Sequence, residues 1–266
     1  MTGAASRLSA LRGSRRVERF AGKTAIVTGA SRGIGFAAAE RLVVDGARVV
    51  ITARNQQNLD IAAEQLGGPK FALGVAGRAD DPDHQADVVR RAIEEFGSAD
   101  FLVNNTGINP VFGPMMELDL AAARKIVDVN CLAALSWAQQ AHRQWMAEHG
   151  GAIVNVASVA GIRTAPGIGF YGASKAMLIH LTEELAVELG PNIRVNAVAP
   201  AVVKTRFAAK LYEGNEAQAA AAYPLARLGV PTDVGSVVAF LLSDDAAWIT
   251  GQLLVIDGGA TLVSAG

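Results

Sequence analysis

Cysteine is almost missing: Cys131 is the only one in 266 residues, which excludes a disulfide framework and a cysteine metal cluster. It follows Asn130 directly and reads as a small buried core residue, the alternative being a redox-sensitive thiol. An excess of charge of one sign is missing too. The chain has 24 Lys and Arg against 25 Asp and Glu, a formal net charge of −1. So balanced a chain gives no sign of a nucleic-acid or anionic-membrane partner. No apolar run approaches the ~20 residues that span a bilayer, and the expected location is cytoplasmic. The four histidines, His84, His142, His149 and His180, lack ligand spacing with acidic partners. They read as surface or helix-end residues, and no metal is expected.

The first nineteen residues differ in kind. Arg7, Arg12, Arg15, Arg16 and Arg19 stand among Ser, Ala and Gly, with Glu18 the sole acid. Organelle import signals share that composition, but no cleavage pattern is evident, so 1–19 is read as a flexible Arg-rich extension. No aromatic residue is interleaved with these arginines, as single-strand nucleic-acid binding would require.

Residues 20–266 read as one α/β domain, because strands alternate with helices throughout and no linker interrupts them. Half the residues are hydrophobic (51%), ample for a large core. Candidate strands are 24–28, 47–52, 70–75, 100–104, 152–156, 193–198 and 253–256. They predict a doubly wound parallel sheet with helices on both faces.

Two constellations carry chemistry. The β-branched run Thr24-Ala-Ile-Val-Thr28 leads into Gly29-Ala-Ser-Arg-Gly33-Ile-Gly35 and then a helical pattern through Leu42. Strand, glycine turn and helix make a dinucleotide site: the glycines allow a tight turn and close backbone approach, and the helix N-terminus faces the pyrophosphate. Far along the chain stand Tyr171 and Lys175, four apart and therefore on one helix face, with Ser158 thirteen residues before the tyrosine. A phenol is a poor acid–base catalyst at neutral pH, and a neighbouring ammonium is expected to pull its pKa down toward that range. Ser158 can donate to an oxygen on which charge develops. These residue types suit ketone/alcohol redox chemistry.

Thr28-Gly-x-x-x-Gly-x-Gly35, Asn104-Asn-Thr-Gly107, Asn130, Ser158, Tyr171-x-x-x-Lys175, Pro200 and the closing Asp257-Gly-Gly259 stand in one register. In that order and spacing they resemble the short-chain dehydrogenase/reductase family, over roughly residues 20 to 262. The resemblance implies a seven-stranded sheet of order 3-2-1-4-5-6-7 and a nicotinamide cofactor across the strands' carboxyl ends. It implies Tyr171 as acid/base, Ser158 as its oxyanion partner, and Lys175 acting on both the phenol and the nicotinamide ribose. Asn130 is implied to hold a water linking Lys175 to solvent. Cofactor contacts are expected from Gly29, Ser31, Arg32, Gly33, Ile34, Gly35, Arg54, Asn105, Thr106, Gly107, Tyr171, Lys175, Pro200, Val203 and Thr205.

NADP(H) is the expected form. The residue about twenty positions past the glycine turn, where a carboxylate would hold the ribose of NAD, is Ala53, and Arg54 follows it. Arg32 inside the turn adds a second guanidinium for a 2′-phosphate. Three positions depart from the family pattern: Thr106 replaces the usual alanine, Gly74–Gly77 lacks the usual aspartate, and Ala201 replaces a glycine after Pro200.

Substrate walls are expected from residues 108–116, 159–170 and 206–231. Phe112, Met115, Met116, Ile162, Ile168, Phe207 and Tyr212 would favour a hydrophobic ketone or acyl chain. The resemblance extends to bacterial 3-oxoacyl-thioester reductases and to NADPH carbonyl reductases. Arg124, Lys125 and Arg163 form either a basic rim for an acidic acyl carrier protein or ordinary surface charge. A non-catalytic NADPH-binding sensor would be expected to lose Tyr171, Lys175 or Ser158, and none is lost. Apolar excess along 121–148 and 172–189, and in the tail from Ala260, predicts a homo-dimer or tetramer.

Overall fold

The computed structural model describes residues 18–263. Residues 1–17 of the expected extension 1–19, and residues 264–266 of the tail, lie outside them. The strands are β1 (Thr24–Thr28), β2 (Arg48–Ala53), β3 (Ala72–Ala76), β4 (Phe101–Asn104), β5 (Gly151–Val156), β6 (Ile193–Pro200) and β7 (Leu253–Ile256). They form one parallel sheet, β3-β2-β1-β4-β5-β6-β7, in the order that the family resemblance implies.

The strands read as apolar runs because both faces of the sheet are covered. Side chains alternate between two cores. Ala25, Val27, Val49, Ile51, Val103 and Val154 face one side, against α1 (Gly33–Val44), α2 (Gln56–Gln65) and α8 (Pro231–Leu242). Ile26, Val50, Leu102 and Ile153 face the other, against α3 (Pro82–Phe96), α5 (Ala133–Ala141) and α6 (Gly169–Glu188). Between α3 and α5 runs α4 (Leu120–Val127), and α7 (Glu216–Ala221) lies in the long connection after β6. Helix α3 shows its sequence signals plainly: Asp81 accepts the Asp83 amide at its start, Pro82 takes the first turn, and Gly97 ends it at φ 85°.

Four expectations are corrected. The second strand begins after Ala47, whose amide closes the preceding turn on the Leu42 carbonyl. The third begins after Phe71, because Phe71 and Ala72 are still bonded to Gly68 in a turn. The helical stretch from Leu120 to His149 is not uniform, since π-helical turns at Asp128–Leu132 and His142–Met146 interrupt it. His84 is not a surface residue: it is 8% exposed, because α3 turns it beneath β2. Cys131 is buried as expected, its thiol bonded to the Ser174 carbonyl at 3.1 Å and pushed up to about 11, chiefly by burial.

Phe20 is buried and edge-on to Phe101, and Arg19, expected to belong to the extension, is paired with Asp245 at 3.0 Å. Among the described residues no helix is long and apolar enough to cross a membrane. Nor, among the described residues, is any group of three His, Cys, Asp or Glu placed to hold a metal ion.

Candidate active site

The site assembles where the strands end. Beyond β1, the chain turns through Gly29 (φ 64°) and Gly33 (φ 63°), conformations that L side chains rarely adopt. A side chain at Gly35 would meet Asn105 Nδ2 at 2.5 Å and the Gly29 carbonyl at 2.8 Å. The turn is buttressed from β4. Asn105 Nδ2 donates to the carbonyls of Thr28 (2.9 Å) and Gly29 (3.1 Å), and the amides of Asn105 and Thr106 both donate to Thr28 Oγ1 at 3.0 Å. Thr28 is thus a structural keystone that sequence reasoning left out of the site, although it stood in the motif. Helix α1 then starts without a side-chain cap and with no acid in its first turn, so its amide end is open to an anion.

Arg32 and Arg54 are both exposed, and among the described residues neither makes an ion pair. Ser31 and Ile34 lie half-buried in the turn. From the far side of the sheet, the segment after Pro200 returns to it: the Thr205 methyl lies 3.4 Å from where a Gly33 Cβ would stand. Thr205 Oγ1 donates to the Val203 carbonyl at 3.2 Å, and Val203 is buried and bridged to Gly229. The glycine cradle and the open helix end fit the pyrophosphate of a dinucleotide.

Tyr171 lies in the first turn of α6 and Lys175 one turn later; both are buried. Lys175 Nζ donates to the Val156 carbonyl at 2.8 Å and stands 5.7 Å from the Tyr171 ring centre. Gly107 makes room for it, since a side chain there would meet Nζ at 3.2 Å and Asn130 Oδ1 at 3.5 Å. Asn130, set in the first π turn, spends its side chain on protein: Oδ1 accepts the Ile108 amide at 2.8 Å, and Nδ2 donates to the Ile108 carbonyl and Ser174 Oγ, both at 3.0 Å. Ser158 Oγ accepts the Ala160 amide at 3.2 Å and stands near enough to the Tyr171 phenol to act against the rise of its pKa. All four residues singled out for proton traffic therefore meet. Val156 and Ser174, which hold two of them, carried no sequence signal.

The expected lowering of the phenol is not found. Burial pushes Tyr171 up to about 12, against the opposing pull of Ser158. Burial pushes Lys175 down to about 8, with Cys131 acting the other way. The expectation counted the ammonium's attraction and left out desolvation of both groups, which here is the larger effect.

Around this centre the walls are apolar and open. The Phe207 ring lies 6.1 Å from that of Tyr171; Phe112 packs on Gly167 and Met115 on Gly169. Phe112, Met115, Met116 and Ile162 are exposed. Of the two readings of Arg124, Lys125 and Arg163, ordinary surface charge fits two of the three. Lys125 is paired with Asp80, and Arg163 donates to the Ala260 carbonyl at 3.0 Å. Lys125 thus has a carboxylate partner, Arg163 is held by a carbonyl and keeps its charge, and Arg124 has no protein partner among the described residues.

A doubly wound sheet with a glycine cradle and a Ser–Tyr–Lys centre, its Tyr171 and Lys175 buried, defines a dinucleotide-dependent oxidoreductase, and comparison with known proteins agrees. A family model described as enoyl-(acyl carrier protein) reductase matches residues 29–261. The Caenorhabditis elegans protein named dehydrogenase/reductase SDR family member 4 is 43% identical over 249 residues, covering 91% of this chain and 96% of its own. Tropinone reductase-like 3 of Erythroxylum coca is 37% identical over 246 residues, covering 91% and 94%. The crystal structure of a short-chain dehydrogenase/reductase, glucose/ribitol dehydrogenase, from Brucella melitensis superposes with a TM-score of 0.87 at 32% identity, over 92% of this chain and 99% of that one. The chain belongs to the short-chain dehydrogenase/reductase family. It is an oxidoreductase of CH–OH and C=O groups that uses a nicotinamide cofactor.

Proposed function

We propose that the chain reduces a free, largely apolar ketone to a secondary alcohol, with NADPH as reductant and Tyr171 as the acid. The convergence of Ser158 and Lys175 on a buried phenol at the strands' carboxyl ends carries the reaction type. A bound dihydronicotinamide supplies the hydride. Tyr171 gives its proton to the carbonyl oxygen, so the C=O bond gains hydride at carbon and a proton at oxygen. Held up at about 12, the phenol arrives protonated at neutral pH, as reduction requires. Ser158 Oγ donates to the same oxygen. Lys175 stabilises the phenolate left behind, and a water at Asn130 returns a proton from solvent. The Asn130 side chain also locks the Gly107–Ile108 turn beside Lys175.

Arg32 and Arg54, with Ala53 where a carboxylate would otherwise stand, support NADPH over NADH. Replacing Arg54 with Glu should raise the KM for NADPH about ten- to a hundredfold and leave NADH nearly unaffected, read from initial rates with each cofactor. Equal loss for both would overturn the preference.

The open apolar mouth favours a free ketone. A carrier-linked acyl substrate is the second reading, supported by the description of the matching family model and by a mainly apolar hollow of about 400 Å³ lined by Leu120, Ala123, Val127 and Phe170, with Arg124 and Asp128 at it. Rates of NADPH oxidation with acetoacetyl-CoA beside a panel of free ketones separate the two. Turnover of the thioester alone would reject the ketone reading.

A further inference from the structure

We propose that His84 is a positioning residue for the adenosine half of the cofactor, fastening the ends of β2 and β3 and, through them, the glycine turn. The proposal rests on the reading that a dinucleotide lies across these strand ends. His84 Nε2 stands 2.6 Å from Thr52 Oγ1, both buried. Thr52 is a joint: its carbonyl accepts the amide of Ala30, inside the glycine turn, at 3.1 Å. Ala53 follows and accepts the Gly77 amide at 3.0 Å, and Arg54 comes next. The imidazole also fills the space of a side chain at Gly77, where a Cβ would fall 2.2 Å from Nδ1. Any other residue at position 77 would expel it. Trp137 closes the far side, edge-on at 5.9 Å and 89°, with its indole N–H bonded to the Ala79 carbonyl at 3.0 Å. One ring therefore bears on β2, on the turn after β3 and on α5, and reaches the turn after β1 through Thr52.

The wedge works as a neutral ring. Burial pushes its pKa below the ordinary 6.5. The charged groups that act on it belong to its own helix and the turn before it: Asp81 and Asp87 raise the value, and Arg91 lowers it. The neighbouring elements present Thr52, Gly77 and Trp137, which carry no charge. The charged ring is therefore disfavoured in the folded protein, and its contribution is complete at neutral pH. It is lost as pH falls through the depressed value, when protonation forces a cation into this niche.

The test is direct titration of the full chain with NADPH and with NADH, read by quenching of protein fluorescence, alongside turnover at saturating cofactor. His84→Leu and the near-isosteric Thr52→Val should each weaken binding about three- to tenfold, the worth of one hydrogen bond. Both cofactors should lose alike, because adenosine is common to them, and kcat at saturation should stay within about twofold. His84→Gln, whose amide reaches the Nε2 position, should restore affinity. Its binding should also stay flat as pH falls below the ordinary histidine range, where the native protein's weakens. Unchanged affinity in both His84→Leu and Thr52→Val, with only a lower unfolding midpoint, would reduce His84 to a core residue and overturn the proposal. Native protein that binds neither cofactor would overturn the dinucleotide reading itself. Equal affinity for NADPH and NADH would overturn only the roles given to Arg32 and Arg54.

Discussion

At the scale of single residues, the site depends on how burial sets the protonation of two neighbours. Tyr171 is pushed up to about 12 and Lys175 down to about 8, so on raising the pH the lysine loses its proton first. Reduction should hold steady through neutral pH and decline as pH rises past about 8, because the charge that stabilises the phenolate disappears before the phenol ionises. A rate profile that instead fell only near the tyrosine's own value would show that Lys175 contributes no charge. Tyr171→Phe should cost at least about a hundredfold in kcat while cofactor affinity, measured by titration, is retained. Substantial remaining turnover would remove Tyr171 from its role.

At the scale of elements, two features outside the site deserve measurement. Arg194 on β6 forks into the end of α8, donating to the carbonyls of Leu241 (2.6 Å), Leu242 (3.2 Å) and Ser243 (3.1 Å). It satisfies carbonyls that the helix itself leaves unpaired. Arg194→Met should therefore destabilise the fold by about 2 kcal/mol, read from denaturant unfolding; a loss under half that would mean that water replaces the guanidinium. Ala226, in the connection between β6 and α8, sits at φ 52°, where a Cβ is strained. Ala226→Gly should gain up to about 1 kcal/mol, and no gain would indicate that the turn relaxes in solution. The two π turns in the stretch from Leu120 to His149 belong to this scale too. The first carries Asn130 and brings its amide onto Ile108 and Ser174.

The whole molecule leaves apolar side chains uncovered. On α6 Met177 and Val187 are exposed, beside α5 Leu132 is, and near and on β7 so are Trp248 and Val255. Leu132, Met177 and Val187 lie along the helical stretches that the sequence marks as too apolar for one buried face, and with Trp248 and Val255 they support a homo-oligomer. Sedimentation should show a dimer or tetramer, and Val187→Glu should shift it toward smaller species if the α6 face is an interface. A native protein that sediments as a monomer at micromolar concentration would defeat the expectation.

Much was legible from the chain alone where the signal is local. A β-branched run ending in glycines declares a strand and a turn, and Tyr171 and Lys175 four apart declare one helix face. Joined to the family resemblance, such patterns reached the strand order and the residues that meet at the centre. Patterns were silent where the outcome depends on what the chain packs against itself. The burial that drives Tyr171 and Lys175 apart in pKa comes from elements distant in sequence. Asp80 draws Lys125 out of the basic rim from 45 residues away. His84 looked like a surface histidine until β2, Gly77 and Trp137 closed around it. Residue type and spacing determine which groups are available and which faces they share. Desolvation and long-range pairing exist only once the sheet is assembled, and those decided what charge each group carries and what it is free to touch.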